Sequence, residues 1–95
     1  MTTVKEGFER DLAQVSWREL RIHLRRDAIV TVTSDLNLVA VAGAVAADDT
    51  SAVGAWIAGG QLAKPTAAEL AEWETSLDKP FLMLIVQPYI LIQAV

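Results

Sequence analysis

Phe81 to Val95 reads FLMLIVQPYILIQAV and contains no charged residue. As one straight strand it would span about 50 Å, too long for a domain of this size with a radius of gyration of about 13 Å. The stretch must therefore bend, and Gln87-Pro88 marks the bend because proline cannot donate a hydrogen bond to a sheet ladder. We predict two strand segments with helices on one face and either a helix or a second subunit on the other.

The first third of the chain predicts two helices and a strand. Apolar residues at helical spacing predict an amphipathic helix over 4–15. Ser16 and Glu19 have the spacing of a capping box, so a second helix should begin near Trp17 and end near Asp27. Its predicted buried stripe is Trp17, Leu20 and Leu24. Residues 28–33 alternate in polarity and are rich in β-branched types, which favours a strand.

The middle of the chain predicts three more helices and a short strand. Residues 36–47 are apolar on nearly all sides, which is typical of a buried helix. Asp48-Asp49 supplies capping residues for a short helix that Gly59-Gly60 ends, and its apolar residues at helical spacing are Val53, Trp56 and Ile57. A short strand over 61–64 and a helix over 67–77 complete the order. We therefore predict a helix-rich α+β fold in which a small sheet contains the C-terminal strand.

The 95 residues suit one domain, 1–95. From Trp17 onward the predicted order resembles a winged helix, in which a helix and a strand precede a helix-turn-helix and a final hairpin. The apolar tail is shorter than the ~18 residues typical of a spanning helix, and proline divides it, so no membrane segment is predicted.

Composition restricts the possible partners. The net charge of −4 disfavours nucleic acid and anionic membranes, and the absence of cysteine favours a reducing cytoplasm. Hydrophobic residues make up 53% of the chain, more than so small a core requires. Because monomers rarely expose large apolar patches, we predict a subunit interface and a homo-oligomer.

Four arginines lie within nine positions of the second predicted helix: Arg18, Arg21, Arg25 and Arg26. Such a cluster is a candidate site for phosphate groups or an acidic partner, together with His23. The alternative is a solvated helix face whose charges pair with Glu19 and Asp27. Nucleic acid binding is not favoured, because the helix in the recognition position has no basic or amide side chain to contact a base.

No cofactor, metal site or catalytic residue is predicted. His23 is the only histidine, and no phosphate loop, GxSxG or HExxH motif occurs. A small enzyme would have to combine His23 with Asp48 or Asp49 in one cleft. The simpler interpretation is that the two aspartates cap helices, and that the three tryptophans pack in the core.

Several stretches together resemble a family of small bacterial proteins catalogued as domain of unknown function 2288. They are SWRELRIHL, LNLVAVAGAVAADD, Trp56 with Gly60, and VQPYILIQ, in which Tyr89 stands where tryptophan is expected. The resemblance implies an intact single domain and no particular activity. We therefore expect a non-catalytic protein-interaction or regulatory module that self-associates, with the tail residues Gln87, Pro88, Tyr89 and Gln93 as interface candidates.

Overall fold

The computed structural model of the chain describes residues 4–26 and 28–95, without the side chains of 4–6, 9 and 24–26. The elements, in chain order, are α1 (Val4–Asp11), β1 (Ala13–Ser16), α2 (Trp17–Leu20), a 3-10 helix (Arg21–Arg26), β2 (Ile29–Val32), α3 (Leu38–Ala46), α4 (Thr50–Ala58), β3 (Leu62–Ala63), α5 (Ala67–Glu74), β4 (Pro80–Val86) and β5 (Tyr89–Ala94). This is the predicted α+β class.

The apolar tail forms a hairpin at the centre of a five-stranded sheet. The strand order is β1-β4-β5-β2-β3. Strands β4 and β5 are antiparallel, with Phe81 opposite Ala94 and Val86 opposite Tyr89. Strand β5 also pairs in parallel with β2. The predicted bend at Gln87-Pro88 is confirmed, because these two residues form the hairpin turn.

Each face of the sheet has its own core. On one face, side chains of β4 and β5 such as Leu84 and Leu91 pack with Val41 and Ala42 of α3, and we call this cluster the α3 core. On the other, Phe81, Ile90 and Ile92 pack with residues of α2 and α5. Because successive side chains of a strand point to opposite faces, the uncharged tail can supply both cores at once. Helices thus cover both faces.

The second core is built around three aromatic rings, and we call it the tryptophan core. The centroids of Trp17 and Trp73 are 4.9 Å apart, and those of Trp73 and Phe81 are 5.1 Å apart. The Trp17 ring is fully buried, and its indole Nε1 donates a hydrogen bond of 3.1 Å to the Glu74 carboxylate. The predicted core role of Trp17 and Trp73 is therefore confirmed.

The first predicted helix is too long, and an edge strand was missed. Helix α1 ends at Asp11, and Val15 lies in β1 opposite Phe81. The apolar residues at positions 4, 8 and 12 have helical spacing, and the apolar residue at position 15 fits the same spacing by coincidence. Its side chain instead packs against the tryptophan core. Four residues are too few to show a strand alternation, whereas pairing with β4 satisfies the backbone of that strand.

The second predicted helix is α-helical only in its first turn. Helix α2 is a single turn that continues as the 3-10 helix, and its capping box at Ser16 and Glu19 is present. Trp17 and Leu20 are buried as predicted. The side chain of Leu24 and the predicted end at Asp27 lie outside the described residues.

Helices α4 and α5 begin where capping chemistry predicts, but α3 begins at Leu38 after an Asn37 cap rather than at 36, and α5 ends at Glu74 rather than at 77. The Asp49 side chain accepts a 3.1 Å hydrogen bond from the Ala52 N–H at the start of α4. The capping box of α5 is complete, because Thr66 and Glu69 exchange two hydrogen bonds of 3.1 Å. The short strand and the glycine end of α4 are confirmed as well, with Gly60 at a φ of 76°.

The turn after β2 is tied to the residue that precedes β3. The Thr33 hydroxyl donates to the Asp35 carboxylate, and Gln61 Nε2 donates to the same group at 2.7 Å. These two hydrogen bonds favour the ionised form and lower the pKa of Asp35. The carboxylate therefore remains ionised at neutral pH and holds the two connections together.

Candidate functional site: α4 and the cleft beside it

Helix α4 is apolar and has no charged residue, yet it is not buried. Its sequence is TSAVGAWIA, with Asp49 as the N-cap. All nine residues are described, and none of them is buried. The Ile57 side chain is 59% exposed. An uncharged helix normally covers a core, as α3 does, so the exposure of α4 requires another explanation.

The residues of α4 divide between two sides. Val53 and Trp56 are partly buried and pack on the α3 core. The opposite side consists of exposed small residues at steps of three and four, and we call it the outer face of α4. Its members are Ser51, Gly54, Ala55 and Ala58. A Cβ atom added at Gly54 would meet no other atom within 4 Å, so this face is open.

An apolar cleft of about 300 Å³ lies beside α4, and we call it the α4 cleft. Its lining comes from both the sheet and the helices. Its described lining residues are Val30, Val45, Val53, Ile57, Leu62, Ala63, Lys64, Tyr89 and Leu91. Seven of the nine are aliphatic, and Lys64 and Tyr89 supply the polar atoms.

The candidate arginines that the structure describes are paired with carboxylates. Arg21 lies 2.9 Å from Glu74, the residue that also accepts the Trp17 hydrogen bond. Arg18 lies 3.5 Å from Asp78, and both side chains are largely exposed. Such exposed pairs contribute about 0–1 kcal/mol. This geometry is that of a solvated helix face, the alternative to a phosphate site. The side chains of Arg25 and Arg26 lie outside the described residues.

His23 and the two aspartates have separate structural settings. His23 is half-buried in the 3-10 helix that follows α2, and α2 packs on the tryptophan core. Asp48 and Asp49 follow α3, which packs on the opposite face of the sheet. Asp48 adopts a φ of 55° at the turn, and Asp49 caps α4. The structure therefore gives the aspartates the turn and capping roles that were the simpler prediction.

Among the side chains that the structure describes, which do not include Glu6 and Glu9, no group of three or more His, Cys, Asp or Glu is placed to hold a metal ion.

The four tail candidates differ in their surroundings. Gln87 and Pro88 are exposed in the hairpin turn, and Tyr89 is 45% exposed at the α4 cleft. Gln93 is instead buried at 8% exposure. Its side-chain amide donates to the backbone carbonyls of Thr33 and Leu36 at 2.8 and 2.7 Å. Gln93 thus holds the β2–α3 loop, and only the other three present surface to a partner.

Sequence reasoning missed both the exposure of α4 and the cleft. Helical spacing correctly identified Val53 and Trp56 as the packed side of α4, but it also assigned Ile57 there. The presence of a cleft between several elements depends on how closely those elements pack. Local sequence patterns do not predict that packing distance. The one signal available was the high hydrophobic content of the chain.

Comparison with known families gives a match over nearly the whole chain. Residues 3–94 match the family described as Protein of unknown function (DUF2288). The chain belongs to the DUF2288 family. The resemblance to this family noted in the sequence is therefore confirmed. The likeness to a winged helix stays a prediction about the order of elements.

A solved structure supports the same fold for this DUF2288 domain. The NMR solution structure of PA1075 from Pseudomonas aeruginosa is 32% identical in sequence, with a TM-score of 0.81. The match covers 99% of this chain and 86% of that one. No curated protein matches the chain. None of the described helices combines the length and hydropathy needed to cross a membrane.

Most residues that carry the DUF2288 resemblance form the fold. Trp17 and Leu20 are buried in the tryptophan core, and Gly60 ends α4 in a left-handed conformation. Gln93 binds the β2–α3 loop. Trp56 differs from these residues, because it belongs to the partly exposed helix α4. Family membership therefore identifies the fold and leaves the function to be argued from the surface.

Proposed function

We propose that this DUF2288 domain is a non-catalytic protein-interaction or regulatory module that self-associates through α4. The observation that carries the proposal is an uncharged helix with no buried residue. Contact with a second copy would remove Ile57 and the outer face from water without burying a charge. Part of the high hydrophobic content of the chain would then be accounted for.

A second copy of the chain fits this surface better than a charged partner does. In a two-fold symmetric interface, residues near the axis meet their own copies, so a charged residue there would face a like charge. The nine residues of α4 carry none. Elsewhere the chain has a net charge of −4, which opposes random association. The α4 surface is therefore suited to contact with itself.

The shape of the outer face supports close contact between helices. Ser51, Gly54, Ala55 and Ala58 present little side-chain volume, so two copies of α4 could approach to the short end of the usual ~8–10 Å between packed helices. Ile57 borders this face with a larger exposed apolar side chain. The combination provides a flat contact with apolar groups at its margin.

The non-catalytic part of the proposal is supported by the roles of the ionisable candidates. Arg18 and Arg21 pair with carboxylates, and Asp49 caps a helix. These contacts account for the side chains without a substrate. The absence of cysteine from the sequence supports our further expectation of a cytoplasmic location.

A matched pair of charge substitutions tests the proposed interface. Ala55 on the outer face of α4 and Ala71 on α5 are both exposed helix residues. Ala55→Glu would place two like charges close together in the dimer, so we expect the dissociation constant to rise at least tenfold, roughly 1.4 kcal/mol. Ala71→Glu makes the same change in charge and should leave association as in the wild type. Sedimentation velocity over a concentration series measures both.

Two outcomes of this experiment contradict the proposal. One is an Ala55→Glu variant that associates as tightly as the wild type, which would place the interface elsewhere. The other is equal weakening by both substitutions, which would indicate a general effect of net charge. Circular dichroism of each variant verifies that the monomer remains folded.

A further inference from the structure

We propose that the α4 cleft binds a small apolar molecule with an anionic head group, of the class of a medium-chain carboxylate. The proposal goes beyond self-association, because it concerns the side of α4 that faces the sheet. The juxtaposition that carries it is an apolar concavity with a lysine and a tyrosine among its lining residues.

The lining of the cleft matches the apolar part of such a molecule. Val30 and Leu91 contribute from adjacent strands, Val45 from α3, and Val53 and Ile57 from α4. Because these side chains come from separate elements, they surround a volume rather than form a flat patch. That volume, about 300 Å³, lies at the lower end of the ~300–1,000 Å³ typical of small-molecule sites.

The two polar lining residues favour an anionic head group. Of the nine described lining residues, Lys64 alone is charged at neutral pH, and Tyr89 adds a hydroxyl. Ligand sites typically combine an apolar lining with a few polar groups that fix orientation. Lys64 also has a contact within the chain, and the proposal requires only that its positive charge lies at the cleft. A carboxylate there would gain a cation in a protein of net charge −4.

Exposure of α4 gives the ligand a route into the cleft. Ile57 of α4 and Tyr89 both line the cleft and are 59% and 45% exposed, so the cleft is accessible from solvent. Val53 and Ile57 lie four residues apart on the cleft side, whereas Ala55 and Ala58 lie on the outer face. Ligand binding and self-association therefore use adjacent sides of one helix, with Ile57 at the border between them.

Titration of ¹⁵N-labelled protein with sodium octanoate, followed by amide chemical shifts, tests the assignment. We expect saturable shifts at amides of the lining residues, among them Val53, Ile57 and Lys64. Octanol, which has the same chain without the charge, serves as the reference ligand. Shifts confined to other surfaces, or none that saturate, would overturn the proposal.

Two lysine variants identify the head-group contact. Lys64→Met keeps most of the side-chain length and removes the charge, so octanoate should bind roughly threefold more weakly while octanol binds unchanged. Lys79→Met removes one positive charge beside Phe81 in the tryptophan core and should change neither affinity. Two results would overturn the assignment of an anionic head group. One is an equal loss of affinity for octanoate and octanol in Lys64→Met, and the other is an equal loss of octanoate affinity in Lys64→Met and Lys79→Met.

The two proposals fail separately in this design. Light scattering on the same samples reports the mass of the assembly, whereas the shifts report the cleft. Octanoate binding by a single-chain species would overturn self-association alone. A dimer without saturable shifts would overturn the ligand alone.

Discussion

Replacing Trp17 with alanine is expected to lower the free energy of unfolding by about 3–5 kcal/mol, the usual cost of deleting a buried tryptophan. Trp17 is fully buried between Trp73 and Phe81, with centroid distances of 4.9 and 6.1 Å. The substitution leaves a large cavity and removes the hydrogen bond to Glu74. Domains are commonly stable by only about 5–15 kcal/mol, so much of the variant should be unfolded at low denaturant.

Trp56→Ala is the matched control for Trp17→Ala. Trp56 is half-buried on α4, and part of its ring is in contact with water in the folded chain. We expect its replacement to cost about 1–2 kcal/mol, because less apolar surface returns to water on unfolding. Urea denaturation followed by circular dichroism gives both values. Equal losses in the two variants would contradict the assignment of Trp17 to the core.

Replacing Gln93 with leucine is expected to cost about 1–3 kcal/mol, although leucine is apolar and similar in size. The Gln93 amide donates to two carbonyls of the β2–α3 loop, and the Thr33 carbonyl has a second donor in the Leu36 N–H. The Leu36 carbonyl would be left without the amide. We therefore expect faster amide exchange in residues 33–37 as well as a lower urea midpoint.

Gln87→Leu is the control for Gln93→Leu. Gln87 is exposed in the hairpin turn, so the same chemical change there should alter stability by less than about 0.5 kcal/mol. Should Gln93→Leu leave both the urea midpoint and loop exchange at wild-type values, the anchoring role of Gln93 would be wrong.

The tail was the part of the fold most open to prediction. Its lack of charge required burial and Pro88 located the turn, so two strand segments joined at a bend followed from length and chemistry, whereas their central place in the sheet did not. Capping residues likewise located the start of α4 at Asp49 and of α5 at Thr66. These features depend on residues close together in sequence, where local physics is decisive.

The features that escaped prediction depend on distant parts of the chain. Strand β1 forms because β4 offers an unpaired edge to Val15 and its neighbours. A strand of four residues is too short for its alternation of polar and apolar residues to be recognised in the sequence. Gln93 was assigned to an interface because a glutamine in an apolar strand has no local partner. Its partners lie 57 and 60 residues away in the sequence.

The candidate site was predictable only in outline. Composition indicated surplus apolar surface, and helical spacing indicated which side of α4 packs. Neither composition nor helical spacing could predict that Ile57 is 59% exposed, because this exposure depends on the distance of α4 from β2 and β5. The ion pairs of the arginine cluster were not predictable either, because the fold had to bring Glu74 at the end of α5 and Asp78 in the following connection beside Arg21 and Arg18.

The most direct test of self-association through α4 is the mass of the purified wild-type chain by multi-angle light scattering at micromolar concentrations. Self-association predicts twice the mass of a single chain, with dissociation only on dilution. A monodisperse species with the mass of one chain across the whole range would contradict it.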